Sequence, residues 1–487
     1  MITPESRNLI DGRLVEAANG ATYPNINPAT EEILGVTADA SPDDMARAIA
    51  AARRAFDETA WATDHALRAR CLRQFKEAMD AAKDDLREMI VAEAGAPVLL
   101  AYAALCDAAI DWMDYWIGLA ESYPFETAMP DMDFMGKRTR RMVRREPAGV
   151  VGAITPFNFP FSLNLTKLGP ALAAGCTVVL KPAPDTPWSA TILGRIIAEQ
   201  TDIPAGVVNV VTGTSPMLGE MLTTDPRVDL VTFTGSTEIG RKVMAAAATT
   251  VKRTFLELGG KSAAIVLDDA PFEKVVPGIA VMCSHAGQGC VLTSRLLLPR
   301  ARYEEGVALA KQAFEGLAYG DPTDSKHLMG PVASQRQRER ILGHIARAKK
   351  DGARLVTGGG VPAALPKGFY VEPTIFADVD PASALAQEEV FGPVLAIIPF
   401  DDDDDAVRIA NDSIYGLSGT IASASDERAL AVARRIRTGT LGVNGAHWYA
   451  VDTPFGGYGQ SGVGRENGIA GLEEYLETKV IGLPHRD

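Results

Sequence analysis

One cysteine, Cys290, sits in the small-residue run Ser284-His285-Ala286-Gly287-Gln288-Gly289-Cys290-Val291-Leu292. Gly287 and Gly289 remove side chains that would block approach to its sulfur. Upstream, Phe255-Leu256-Glu257-Leu258-Gly259-Gly260-Lys261 carries an acid in an apolar frame. A soft nucleophile and a general base on separate glycine-softened segments suggest covalent catalysis. A reactive thiol needs access and a lowered pKa, such as a helix N-terminus supplies. Desolvation of Glu257 would raise its pKa and suit it to proton transfer. The plainer readings are an inert buried thiol and a structural ion pair. Cys283 falls within a helical pattern and reads as structural.

Three further features have the right residue types. Asn158, between two phenylalanines in Thr155-Pro156-Phe157-Asn158-Phe159-Pro160, reads as a turn residue or as an amide donor to an oxyanion. Lys181, at a strand end, is a surface charge or a group that holds a ribose or phosphate. Gly235-Ser236-Thr237-Glu238-Ile239-Gly240, after a strand and before a helix, is a tight turn or a set of N–H donors for a phosphate. It is not the full GxGxxG fingerprint.

These residues need elements to hold them. From 149 to 267 strand and helix patterns alternate, with strands at 149–154, 176–181, 207–211, 229–234, 253–257 and 263–267 and helices that include 186–201 and 237–249. That alternation predicts a parallel sheet covered by helices, with ligands at the carboxyl ends of the strands. Before it, residues 7–37 read as short strands and turns. A helix starts at the Ser41-Pro42-Asp43-Asp44 capping box, with Met45, Ile49, Ala52 and Phe56 on one face. A second helix runs from about 64 to 93, and a third over 98–120. A second α/β pattern follows from 271 to 459, with helices near 271–285, 302–317, 333–350, 403–411 and 425–437 and strands near 291–298, 394–399 and 440–444. The acid run Asp401–Asp405 reads as a helix start rather than a cation site. The basic stretch at 137–145 is an exposed strand or an arm that pairs with another subunit, and the strand near 475–481 also needs a partner.

At 487 residues the chain can bury several cores. Hydrophobic residues at 47% and charged residues at 23% fit a soluble globular protein. A net charge of −14 argues against a nucleic-acid partner. The five cysteines, Cys71, Cys106, Cys176, Cys283 and Cys290, form no CxxC and read as reduced. The six histidines form no metal-ligand spacing, so no metal is expected. The N-terminus, from Met1 to Arg7, lacks a secretory pattern, and the apolar stretch from Leu168 to Leu180 is too short to span a membrane. A cytoplasmic protein without a membrane partner is expected.

Together the runs Thr155–Pro160, Lys181-Pro182-Ala183, Phe233-Thr234-Gly235-Ser236-Thr237, Leu256–Lys261, Gly287–Cys290, Glu388-Glu389-Val390-Phe391-Gly392-Pro393 and Pro454-Phe455-Gly456-Gly457 resemble the NAD(P)-dependent aldehyde dehydrogenase superfamily, over nearly the whole chain. The resemblance implies an α/β fold in three parts. These are a Rossmann-like cofactor domain (1–124 and 148–259), an α/β catalytic domain (260–459), and a small β oligomerisation arm with a C-terminal tail (125–147 and 460–487). A homodimer or homotetramer is then expected.

The resemblance also implies roles. Cys290 attacks a small-molecule aldehyde, and Asn158 and the Cys290 N–H stabilise the oxyanion. Glu257 activates the water that cleaves the thioester, and Glu466 is a second acid for proton relay. Cofactor contacts fall on Thr155, Pro156, Phe157, Lys181, Ala183, Asp185, Gly235, Ser236, Leu258, Gln337, Arg340, Glu389 and Phe391. The substrate pocket is Phe159, Leu163, Thr166, Gly289, Val291, Trp448, Tyr449 and Phe455, which favours a medium-sized apolar or aromatic aldehyde over a dicarboxylic semialdehyde. One departure concerns Pro184, which stands where many NAD-preferring members carry a ribose-binding glutamate. Asp185 can replace it if the loop turns inward, so NAD is expected and NADP stays open. A CoA-acylating enzyme and a catalytically silent homologue are the alternatives, and Glu257 and the intact Cys290 and Asn158 count against them.

Overall fold

The computed structural model describes residues 4–485. Met1–Thr3 of the N-terminal stretch and the last two residues of the tail lie outside them. The fold is α/β, built on an eight-stranded and a seven-stranded sheet with a separate three-stranded sheet.

In the first sheet five parallel strands lie side by side, in the order Arg253–Glu257, Leu230–Thr234, Val150–Ile154, Thr177–Lys181 and Val208–Val210. The chain leaves Val150–Ile154 toward one edge and later returns to its other side. The order therefore reverses between Val150–Ile154 and Leu230–Thr234, and the crevice at such a switch point is where open α/β sheets bind ligands. Alternate residues feed different cores. Val151, Ala153, Val178 and Leu180 join one cluster, and Val150, Val179, Val231 and Leu256 another. A sheet buried on both faces reads as continuous apolar strands, as the central Val150–Ile154 does.

The second sheet has the order Arg354–Thr357, Thr374–Ala377, Val394–Phe400, Arg295–Pro299, Ala263–Val266, Gly419–Ala422, Gly442–Val443. Ala263–Val266, which continues the earlier run of strands in sequence, belongs here. Arg354–Thr357, Thr374–Ala377 and Gly419–Ala422 were absent from the sequence reading, being four residues each. The acid run does start a helix: Asp402 caps Asp403–Asn411 by accepting from Asp405 N.

Helix Pro42–Glu58 carries the expected capping box, with Ser41 and Asp44 each accepting from the other's backbone N–H. The expected helix over 64–93 is two helices, His65–Ala81 and Lys83–Ala94, because Ala82 leaves helical geometry (φ −100°, ψ 5°). The expected helix over 98–120 is also broken. A five-residue π-type turn at Ala101–Leu105 and non-helical Ala103 interrupt it before Asp107–Asp111 and Met113–Ser122. Arg87 fixes that break, stacking on Tyr102 at 4.3 Å and gripping both Asp107 oxygens at 2.8 and 2.5 Å.

The basic stretch forms Lys137–Pro147, the middle strand of the three-stranded sheet between Glu126–Phe134 and Leu476–Pro484. The late strand thus finds its partner within the same chain. The segment between the second sheet and this strand contributes Gly462–Val463 to the first sheet, antiparallel to Arg253–Glu257. Among the described residues no helix is long and apolar enough to cross a membrane.

Candidate active site

The two glycine-softened segments do meet. Glu257 ends its strand, and the chain then turns through Gly259 and Gly260. A Cβ on Gly260 would lie 2.5 Å from the Cys290 carbonyl oxygen, so only glycine lets the Cys290 loop sit this close. Cys290, Glu257, Asn158 and Glu466 line one cavity of about 560 Å³.

Cys290 is half-buried, in a turn after a 3₁₀ segment rather than at a helix N-terminus. The expected depression of its pKa is not what the site produces. Burial pushes the thiol up, and the Glu389, Glu257 and Glu466 carboxylates push it further, since each disfavours a second negative charge.

Glu257 is buried, and among the described residues neither carboxylate oxygen has a hydrogen-bond partner. Desolvation holds its pKa well above the ordinary range, Glu466 adds to this, and Lys167 and Arg465 oppose it. An acid held this way takes up a proton readily and is a candidate general base. Glu466 forms an ion pair with Lys167, both side chains nearly inaccessible, and Lys167 also lies 4.6 Å from the centre of the Phe255 ring. Lys167 escaped the sequence reading because it is a lone charge in the otherwise uncharged helix Pro160–Ala174. The available signal was a lone charged residue in that helix, which needs a partner if the helix is buried.

Asn158 is 5% exposed and its side-chain amide donates to Gln288 O at 2.7 Å. His285 Nε2 lies 2.5 Å from Asn158 O. Gln288 Nε2 donates to His285 O at 3.1 Å, and its Oε1 accepts from Ala333 N at 2.9 Å. Neither His285 nor Gln288 had been given a role from the sequence.

Toward the sheet's switch point the wall consists of Pro156, Phe157, Thr234, Gly235, Ser236, Leu258, Gln337, Arg340, Glu389 and Phe391. Ser236 caps helix Thr237–Ala247. Glu389 Oε1 accepts from Gly260 N at 2.9 Å, and burial raises its pKa. Arg340 is anchored on Glu389 O at 2.8 Å, and Gln337 Oε1 is buried without a partner. Phe391 takes a left-handed φ of 55° and meets Phe157 edge-on at 6.0 Å. Lys181 lies outside this wall; its buried ammonium donates to Pro182 O at 3.3 Å and Gly213 O at 3.4 Å, and burial lowers its pKa to about 8, against the pull of the Asp39 carboxylate. A buried ammonium hydrogen-bonded to carbonyls, a helix N-terminus and an orphaned amide oxygen fit a ligand with hydroxyls and phosphates.

Other expected contacts lie elsewhere. Thr155 and Ala183 are outside the wall, Thr155 donating to Asn164 Oδ1 at 2.6 Å and Ala183 O accepting from Thr186 N at 3.3 Å. Asp185 pairs with Arg336 at 3.5 Å, so its carboxylate is already engaged. At the opposite end, Phe159, Leu163, Gly289, Val291, Trp448, Tyr449 and Phe455 line the cavity together with Trp112, Leu292, His285 and His447. Thr166 does not, its hydroxyl donating to Ser162 O within the helix. The aromatics form a wall of their own: Tyr449 lies 5.1 Å from Trp112 and 5.4 Å from Phe455, and Trp448 stacks on Phe455 at 6.1 Å.

A match to the aldehyde dehydrogenase family spans residues 14–481. A 3-succinoylsemialdehyde-pyridine dehydrogenase from a Pseudomonas species is 43% identical over 477 residues, covering 97% of each chain. Geranial dehydrogenase from Castellaniella defragrans is 41% identical, covering 94% of each. A mutant of aldehyde dehydrogenase C from Pseudomonas syringae, solved with NAD+ and octanal, superposes with a TM-score of 0.92 at 38% identity, covering 98% of this chain and 96% of that one.

Proposed function

The chain belongs to the aldehyde dehydrogenase family, and on that premise we propose that it oxidises a medium-sized apolar or aromatic aldehyde to the carboxylic acid, with NAD as cofactor. The observation that carries the reading is the single cavity in which Cys290 lies between an aromatic wall and a set of groups suited to a dinucleotide. The NAD+ and octanal bound to the Pseudomonas syringae relative, and the 3-succinoylsemialdehyde-pyridine and geranial named for the other two, agree with both ends.

Lys181 and Glu389 would hold the riboses, Gly235 and Ser236 the pyrophosphate, and Phe391 the nicotinamide end, with Gln337 and Arg340 beside the ribose. Bound NAD would supply the hydride acceptor, taking the C–H hydride whose loss oxidises the Cys290 adduct to the thioester. The chain's own residues do the rest. The Cys290 thiol loses its proton to Glu257, so that only one of the two carries negative charge at a time, which answers their mutual repulsion. The thiolate attacks the carbonyl carbon, and the oxygen gathers the electron pair near the Asn158 amide and the Cys290 N–H. Once ionised again, Glu257 takes a proton from the water that cleaves the thioester, and the Glu466–Lys167 pair lies beside it for proton exchange. This use of Glu257 counts against CoA as the acyl acceptor.

Residues 125–147 and the late strand supply the oligomerisation arm of this reading. Met129, Met132, Phe134, Val480 and Leu483 are exposed on it, which supports a homodimer or homotetramer. Free cysteines throughout support a cytoplasmic, reducing setting.

The test is NADH formation from hexanal, benzaldehyde and succinic semialdehyde, with and without CoA, with Cys290→Ala as control. Hexanal or benzaldehyde should be the faster substrate, CoA should change nothing, and the variant should be inactive. Activity in Cys290→Ala would refute the mechanism, and preference for succinic semialdehyde the substrate class. NADP favoured over NAD in specificity constant would overturn the cofactor.

A further inference from the structure

We propose that His285 is a positioning residue for this reaction: it clamps the loop carrying Asn158 to the loop carrying Cys290 and so holds the Asn158 amide on the oxyanion. The inference rests on the aldehyde-oxidising reading above.

Three residues close a circuit. The His285 ring meets the Asn158 backbone oxygen at 2.5 Å, the Asn158 side chain donates to the Gln288 backbone at 2.7 Å, and the Gln288 side chain donates to the His285 backbone at 3.1 Å. A carbonyl oxygen only accepts, so Nε2 carries the proton and donates. Nδ1 is then a bare acceptor, buried without a partner. Orphaned buried polar atoms are uncommon and costly, and a phenylalanine would fill the same space against Phe159 without that cost. The Nε2 bond is the one thing the imidazole adds.

The backbone leads to the same residue. His285 and Ala286 sit at φ 50° and 54°, followed by Gly287 at 72°. Two non-glycine residues in succession in the left-handed region are strained, and such strain persists only where surrounding contacts hold it. Here the strained turn brings His285 O within reach of both Gln288 N and Gln288 Nε2, at 3.1 Å each, two residues before Cys290. Gly287 is pressed so closely on Gly392 that a Cβ would lie 2.2 Å from its oxygen. The loop is thus fixed from behind by Gly392 and from the front by His285. One Asn158 N–H is spent on Gln288, leaving the other for the substrate oxygen.

The imidazole is unsuited to acid–base work itself, since burial keeps it neutral, with a pKa of about 4. Its effect is therefore geometric and passes through Asn158.

The experiment is a double-mutant cycle on the full chain with NAD and hexanal, using His285→Phe, Asn158→Ala and the pair, with His285→Gln as the conservative variant. His285→Phe should lower kcat about 100-fold, the scale for losing one oxyanion donor, with KM and NAD affinity nearly unchanged. His285→Gln, whose amide reaches about as far as Nε2, should recover most of the loss. In the Asn158→Ala background His285→Phe should change the rate less than about 3-fold, since coupled residues are not additive. Full additivity, or a His285→Phe enzyme with normal kcat, would overturn the clamp. If His285→Phe does not fold, His285→Asn, too short to reach, should show the same kcat loss, and normal kcat there would also overturn it. If Asn158→Ala leaves kcat intact, the reaction reading fails; if only His285 proves dispensable, the clamp alone fails.

Discussion

On one side of Cys290, Asn158, His285 and Gln288 spend most of their polar atoms on one another, while on the other side Glu257 keeps two buried carboxylate oxygens with no partner. The difference follows from what each side must do. A donor that meets a developing oxyanion works best when it is already aimed, so its wall is cross-linked. A base must keep its lone pairs for a proton, and hydrogen bonds to the charged form would lower its pKa and weaken it. Between them sits a thiol that neither wall stabilises as the thiolate, so the site is assembled for turnover rather than for a resting nucleophile.

Converting the open wall into an amide wall is the severest way to break this contrast. Glu257→Gln keeps the shape and removes the base. Rapid mixing should show NADH formation slowed from the first turnover, without a burst, and a steady rate lower by about 10²–10⁴-fold, the usual span for a general base. A steady rate within 3-fold of the parent would mean that Glu257 is not the base.

Lys167→Met attacks the open wall from behind, leaving Glu466 buried without its partner. Breaking a buried pair from one side costs about 3–5 kcal/mol, so the melting temperature should fall by many degrees, with Glu466→Gln in the same background restoring part of it. An unchanged melting temperature would show that the pair contributes little.

The smallest expected effect concerns pH. Glu257 ionises well above its ordinary 4.5 in the fold. The folded state therefore holds this proton more tightly than the unfolded chain, and the stability this confers is present below about pH 4.5 and lost as pH rises through the raised value. The acid limb of steady-state turnover should likewise lie above the usual carboxylate range. Glu257→Gln should remove this pH dependence of stability; urea midpoints measured across pH that keep the parent's slope would contradict the assignment.

Much of this arrangement was legible beforehand because it is local. The capping box at Ser41, the apolar parallel strands and the small-residue runs each depend on neighbours in sequence. What could not be read depends on distant groups. The Cys290 thiol is pushed up by three acids from separate segments, Asp185 is claimed by Arg336 from a later helix, and Lys167 looks misplaced until Glu466 arrives. The breaks at Ala82 and Ala103 were missed because alanine favours helix, and packing around Arg87, Tyr102 and Asp107 overrides that preference at the second of them. Strands Arg354–Thr357, Thr374–Ala377 and Gly419–Ala422 of the second sheet, four residues each, give little alternation to read.

The Lys167–Glu466 pair has a consequence in time as well as in energy. Its partners are 299 residues apart. At a synthesis rate of about 5–20 residues per second, Lys167 leaves the ribosome roughly 15–60 s before the carboxylate that neutralises it. Until then helix Pro160–Ala174 cannot bury that ammonium at low cost, so the catalytic side of the first sheet must close late. A nascent chain can therefore carry Cys290 and Glu257 for many seconds before it has an enzyme's interior around them.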